Sequence, residues 1–256
     1  MKKYTCTLQF TYSPDKVGPF LTHALKALGF LPGVMYIRID NEDSLEDEPY
    51  NEELLFSILS RKPTTIQLMN KAYDEMDDYY WFRMQIDESY NILRAEWLNS
   101  NLDFLFSKES LGYFLQSKDF ICGNCCDNAD RYEQSRERRE YFVNRNPTKP
   151  YDKEKIEEQI DVSKHWGRSV RTCGIEFMAA PLMWFGEIFY NVIPKSKLLQ
   201  FKHSPSTSIV EANIVTIGLF NLYESPAKPE NRNKQEEFWK FFDLTTVISD
   251  YKRRNE

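Results

Sequence analysis

Strand-like and helix-like segments follow one another in this chain without the regular βα alternation that a doubly wound parallel sheet needs. Tyr4 to Tyr12 alternates, with Cys6, Leu8 and Phe10 on one face, and reads as a strand. Ser13-Pro14-Asp15 then reads as a helix start, with Ser13 as cap and Pro14 in the first turn. The apolar residues that follow, Phe20, Leu21, Ala24, Leu25 and Leu28, recur at helical spacing until Gly29 and Pro32-Gly33 stop them. Val34 to Ile39 reads as a strand, Asp40 to Glu48 as an acidic loop closed by Pro49, and Asn51 to Arg61 as a short helix. Thr64 to Met69 and Tyr79 to Ile86 read as strands; in the second, Phe82 and Met84 alternate with Trp81 and Arg83. Asn91 to Trp97 fits either a strand or a helix, and Lys108 to Gln116 reads as a helix.

Cys122 to Arg145 is poor in apolar residues, and Asp127 to Asn144 reads as a solvated helix, with a further short helix at Lys153 to Ile160. Later segments regain pattern: an aromatic run at Pro181 to Val192, a short helix or turn at Lys195 to Phe201, a strand at Asn213 to Tyr223, and one helix over Arg232 to Ile248. This predicts an α+β fold: a mixed, mainly antiparallel sheet with flanking helices. We expect a single domain over residues 1–256, carrying a charged helical insert at about 122–160.

Composition then narrows the function. Aromatics make up 15% of the 256 residues, enough bulk for a sizeable core without disulfides. There are only 9 glycines, and neither G-x-G-x-x-G nor G-x-x-x-x-G-K-[ST] occurs, so phosphate-cradling loops are not expected. The start, Met1-Lys2-Lys3, leads into no apolar signal segment, and the apolar stretch from Phe177 to Phe189 is too short to span a bilayer. Five cysteines in a chain of this length suit a reducing cytoplasm.

Charge is unevenly spread. Asp40 to Asp103 holds 16 acidic and 5 basic residues, a net of −11, whereas Arg131 to Glu256 holds 18 acidic and 21 basic, a net of +3. The acidic half would repel phosphates and favour a basic protein partner over nucleic acid.

Catalytic candidates fall short of partners. Cys122-Gly-Asn-Cys125-Cys126 has C-x-x-C spacing, but no second C-x-x-C or H-x-x-x-H completes a zinc site. The trio reads either as ordinary thiols or as a metal or redox centre. His23, His165 and His203 lie in no nucleophile–base spacing, and neither G-x-S-x-G nor H-E-x-x-H occurs. Carboxylates cluster at Asp40, Glu42, Asp43, Glu46, Asp47 and Glu48, again at Asp74, Glu75, Asp77 and Asp78, and again at Asp87-Glu88. Their spacing is not that of a calcium-binding EF-hand. These runs read either as solvated loops or as one acidic docking surface, with Tyr50, Tyr73, Tyr79 and Trp81 as anchors.

The run Ala179-Ala180-Pro181-Leu182-Met183-Trp184-Phe185-Gly186-Glu187, then Ile193-Pro194-Lys195 and Ile214 to Tyr223, resembles immunity proteins of bacterial polymorphic-toxin and type VI secretion systems. The opening strand–helix–strand pattern, Tyr4 to Ile39, is compatible with it. The resemblance implies a cytoplasmic protein without cofactor or catalysis that binds and blocks a cognate toxin. The alternatives are a metal- or thiol-dependent protein built on Cys122, Cys125 and Cys126, and an adaptor with no toxin partner.

Overall fold

The computed structural model describes residues 2–27, 31–39, 43–71, 80–99, 108–134, 165–202, 206–210 and 213–256. In chain order, the first half comprises β1 (Tyr4–Thr11), α1 (Pro14–Ala27), β2 (Val34–Ile39), β3 (Asp43–Pro49), α2 (Glu52–Leu59), β4 (Thr65–Met69), β5 (Trp81–Asp87), β6 (Ile92–Asn99), α3 (Lys108–Leu115) and β7 (Phe120–Asp127). The second half comprises α4 (Asn128–Gln134), β8 (Val170–Thr172), β9 (Ile175–Phe177), β10 (Leu182–Phe185), a 3₁₀ turn (Glu187–Asn191), α5 (Lys195–Leu199), β11 (Ser206–Val210), β12 (Ile214–Gly218), α6 (Pro229–Phe242) and α7 (Leu244–Asn255). Ten strands form one sheet in the order β11-β12-β10-β7-β1-β6-β5-β4-β2-β3. Every neighbouring pair is antiparallel, so the fold is α+β as expected, with a wholly antiparallel sheet where a mixed, mainly antiparallel one was expected. A hairpin of β8 and β9 stands apart, turned by Cys173 (φ 45°) and Gly174 (φ 78°), two left-handed residues as a tight hairpin turn demands.

Strand β1 lies between β6 and β7 and is buried along nearly its whole length. Its alternation sends Cys6, Leu8 and Phe10 to one face, where Ala95, Trp97, Phe82, Met84, Ile66, Leu68 and Ile37 join them. Helices α1, α2 and α3 cover that face through Leu21, Leu55 and Phe114, among others. The opposite face is covered only in part. There Cys122, Met183, Phe185, Val215 and Ile217 pack against Phe177 of β9 and against Phe238, Phe242 and Leu244 of α6 and α7. Burial of this kind contributes about 25 cal/mol for each Å² of apolar area removed from water, so both layers stabilise the sheet.

Four expectations are corrected. Asp43–Pro49 is not a loop but the edge strand β3. Charges and a terminal proline are what an edge strand uses to avoid pairing with another chain, so its composition conceals its conformation. The insert does not begin near 122, because Phe120–Asp127 is an interior strand. Its cysteines act there as small apolar residues. Gly123 is required on β7: a Cβ would stand 2.4 Å from Leu8 Cδ2 and 2.7 Å from the Thr7 carbonyl oxygen. The solvated helix at Asp127 starts as expected, with Asp127 Oδ1 accepting from Ala129 N at 2.9 Å, but its Arg131 is turned into the interior. Finally, the helix read over Arg232 to Ile248 is two helices, broken at Asp243, which adopts φ 48°.

Asn91 to Trp97, ambiguous in sequence, lies in β6 apart from its first residue. The expected helix at Lys153 to Ile160 lies outside the described residues. The flanks of that unit meet: His165 Nδ1 lies 3.3 Å from the Gln134 carbonyl oxygen. No helix among the described residues is long and apolar enough to cross a membrane.

Candidate functional site

The face opposite α1–α3 carries polar side chains in two rows that run across the strands. Pairing aligns Tyr36, Gln67, Arg83, Glu96, Thr7 and Asn124 in one row, and Arg38, Thr65, Gln85, Arg94, Gln9 and Cys122 in the next. The period of two along each strand puts them all on one side. Toward β1 and β7 the rows are roofed by α4, the β8–β9 hairpin, α6 and α7. Toward β2 no described element covers them.

The roofed end holds four charges. Arg94 Nη2 lies 3.0 Å from Glu96 Oε1 and 3.3 Å from Glu176 Oε2. Arg131 Nη2 lies 2.8 Å from Glu176 Oε1, and its Nη1 also donates to Glu96. Ser169 donates to Glu176, and Thr7 donates to Glu96 at 3.3 Å. Burial pushes the Glu176 carboxyl upward, but Arg131 and Arg94 outweigh it and hold the pKa down at about 2. For Glu96, burial also raises the pKa, and the Arg94 and Arg131 charges bring it below the usual carboxylate value. Arg83 Nη1 also comes within 3.9 Å of Glu96 Oε2, so three arginines surround two carboxylates in a clamp that ties β6 to β5, α4 and β9. Gln9 extends it, donating to the Gly174 carbonyl at 2.6 Å and accepting from Glu176 N at 2.9 Å.

The open end is a depression of about 420 Å³ lined by Tyr36, Arg38, Glu46, Thr65, Gln67, Met69, Arg83 and Gln85. Arg83 Nε donates to Gln67 Oε1 at 2.7 Å, and its guanidinium lies 4.7 Å from the Trp81 ring centroid. Beside it Val34, Tyr36 and Trp81 pack on Met69 and Leu98 as a small apolar patch. Arg38 is exposed on β2. Tyrosine, tryptophan and arginine on a half-buried surface are the residue types that dominate protein–protein contacts.

The cysteines are divided by the strand pleat. Cys122 and Cys126 face the α6–α7 side, whereas Cys125 faces the α1–α3 side opposite Cys6. All three are buried, and burial pushes each thiol pKa upward, away from the thiolate that binds metal or attacks. One ion cannot reach ligands on both faces of a sheet. Among the described residues no group of three or more His, Cys, Asp or Glu side chains could hold a metal ion. His23 stacks on Tyr113, with ring centroids 3.3 Å apart, and burial lowers its pKa. His203 lies outside the described residues.

Of the acidic residues singled out in sequence, Asp40, Glu42, Asp74, Glu75, Asp77 and Asp78 lie outside the described residues. Asp43, Glu46, Asp47 and Glu48 lie on β3, with Glu46 and Glu48 exposed and Glu46 at the rim of the depression. The strand ends flanking the acidic runs are at opposite ends of the half-sheet. Ile39 pairs with Asp43 at the Thr65 end, while the 72–79 segment joins Met69 to Trp81 at the other, about 13 Å away along β4. Asp87, at the Thr65 end, is paired with Arg171 at 3.5 Å. Of the proposed aromatic anchors, Trp81 stands on the open face and Tyr50 packs against the α1–α3 core, while Tyr73 and Tyr79 lie outside the described residues.

The sequence reading missed Arg94, Glu96, Arg131, Glu176 and Gln9, and it did not foresee the Tyr36–Arg38–Gln67 surface. A signal existed: Arg94 and Glu96 sit at alternate positions between Leu93, Ala95 and Trp97, an odd place for charge in a buried strand. A scan against models of known protein families and a search of curated protein sequences each returned no match to this chain.

Proposed function

We propose that this chain is an immunity protein that binds a cognate bacterial toxin in the cytoplasm and blocks it without chemistry of its own. The observation that supports this reading best is the open half of the sheet. Its strands are braced from behind by α1 and α2, yet its front presents Tyr36, Trp81, Arg83 and Arg38 on rigid backbone. A preorganised face of aromatic and arginine side chains suits a protein partner, because little ordering entropy is lost on docking. The resemblance of Ala179 to Glu187, Ile193 to Lys195 and Ile214 to Tyr223 to immunity proteins points the same way.

The acidic edge has a place in this reading. Glu46 on β3 borders the open face, and it would meet a basic region of the toxin and speed encounter. The test is a neutralisation assay with the toxin domain encoded beside this chain. Co-expression should restore growth, and the purified pair should form a complex that weakens with salt. Trp81→Ala should lower affinity by tenfold or more while the protein stays folded. A wild-type chain that neither rescues growth nor binds that toxin would sink the proposal.

A further inference from the structure

The hydrogen-bonding groups around the open depression are unevenly committed. Gln67 Oε1 accepts from Arg83 at 2.7 Å, and Gln85 Oε1 accepts from Arg94 at 3.5 Å. Each glutamine has therefore given its oxygen to an arginine. The Gln67 amide nitrogen turns to Met69 Sδ at 3.2 Å. The Gln85 amide N–H groups have no acceptor among the described residues, and neither does the exposed Arg38 guanidinium. These two residues lie in one row on β2 and β5, on either side of Thr65 of the intervening strand β4. A guanidinium offers five donors and no acceptor, and a primary amide offers two donors. Among the described residues, Glu46 is the one carboxylate lining the depression, and it already accepts from Ser44 at 3.1 Å.

The surplus is of donors, so the complement is an acceptor carrying negative charge. We infer that the partner seats an aspartate or glutamate side chain between Arg38 and Gln85, with an apolar group of the same partner on Trp81 and Tyr36. This rests on the toxin-binding reading and refines it. The contact becomes bipolar, with the acidic edge β3 meeting basic residues and the row behind it taking a carboxylate. A guanidinium–carboxylate pair with an added amide donor is a charge-assisted arrangement with defined geometry, so it sets register as well as affinity.

The experiment measures affinity of the purified full chain for the neighbouring toxin domain by titration calorimetry. Arg38→Glu should weaken binding by roughly tenfold or more. Gln85→Glu keeps an oxygen for Arg94 but replaces the donors by an acceptor, and it should weaken binding several-fold. Glu46→Gln should leave this contact intact. Each variant's thermal unfolding is recorded, and Arg38, being exposed, should not alter it. In the Arg38→Glu background, surface aspartates and glutamates of the toxin are changed singly to lysine, and one should restore binding. Wild-type affinity in both Arg38→Glu and Gln85→Glu overturns the carboxylate contact while leaving the toxin-binding reading standing. Loss of binding that no lysine swap restores, with competition by inorganic phosphate, makes the ligand a phosphate and also overturns it. Failure of the wild-type chain to bind the toxin overturns both.

Discussion

The two ends of the polar rows use similar side chains to opposite ends. At the roofed end, Arg94 and Arg131 share Glu96 and Glu176, and every charge has an opposite charge in contact. At the open end, Arg83 rests on Trp81 and Gln67 and reaches Glu96 only at 3.9 Å, while Arg38 has no carboxylate among the described residues. Register makes the two ends continuous, since Arg83 stands opposite Glu96 and Gln85 opposite Arg94. What differs is the cover. Where a second layer closes over the sheet, charge must be neutralised within the fold, because an unpaired buried ion costs several kcal/mol. Where no layer closes, donors can be left over for a partner.

The comparison breaks first at the roofed end. Arg131→Ala removes one of the two cations that Glu96 and Glu176 share and leaves Arg94 to hold both buried carboxylates. We expect a loss of about 3–5 kcal/mol in denaturant unfolding, and an unchanged stability would show the clamp to be idle. Gly123→Ala follows: the added methyl meets Leu8 and the Thr7 backbone, so a loss of about 1–3 kcal/mol is expected from the same measurement.

Acid should act on the same end. Glu176 has a lower pKa when folded, about 2, than when unfolded. Its contribution is therefore present above about pH 4.5 and is lost as pH falls toward 2, a change of roughly 3 kcal/mol. Glu96 shifts in the same direction and adds to it. Thermal unfolding between pH 2 and pH 6 checks this, and in Arg131→Ala the acid-sensitive part should shrink. The smallest effect belongs to the open end: Arg38→Ala should change stability by less than about 0.5 kcal/mol. A larger loss would mean that Arg38 serves the fold rather than a partner.

Local pattern revealed much of the fold and little of the site. The alternation of Cys6, Leu8 and Phe10 in β1, and of Phe82 and Met84 in β5, shows which side of each strand is buried. It is legible because one face meets apolar helices. Strand β7 was hidden because its buried positions are filled by cysteine, glycine and asparagine rather than branched aliphatics. Strand β3 was hidden because an exposed edge tolerates charge. The polar rows were beyond reach for another reason: Gln9 meets Cys122 across 113 residues of sequence. Only strand order and register bring them together, and neither is written in any local window. Trp81 was named as an anchor beside the acidic runs, and the alternation of its strand puts it with Arg83 on the face away from Phe82 and Met84, the part of the open face that periodicity could supply.

The position of β1 has a consequence in time. It is the first strand of this chain to be made, yet its neighbours are β6 and β7, whose register partners begin at Ile92 and Phe120. At a synthesis rate of roughly 5–20 residues per second, β1 waits on the order of 6–25 s for β7 to leave the ribosome. During that interval β6 can pair with one edge of it, but the edge that β7 will occupy stays unpaired. Chaperone binding to the nascent chain should concentrate on Tyr4–Thr11, and the final step of folding should be the insertion of this earliest strand into the middle of the sheet.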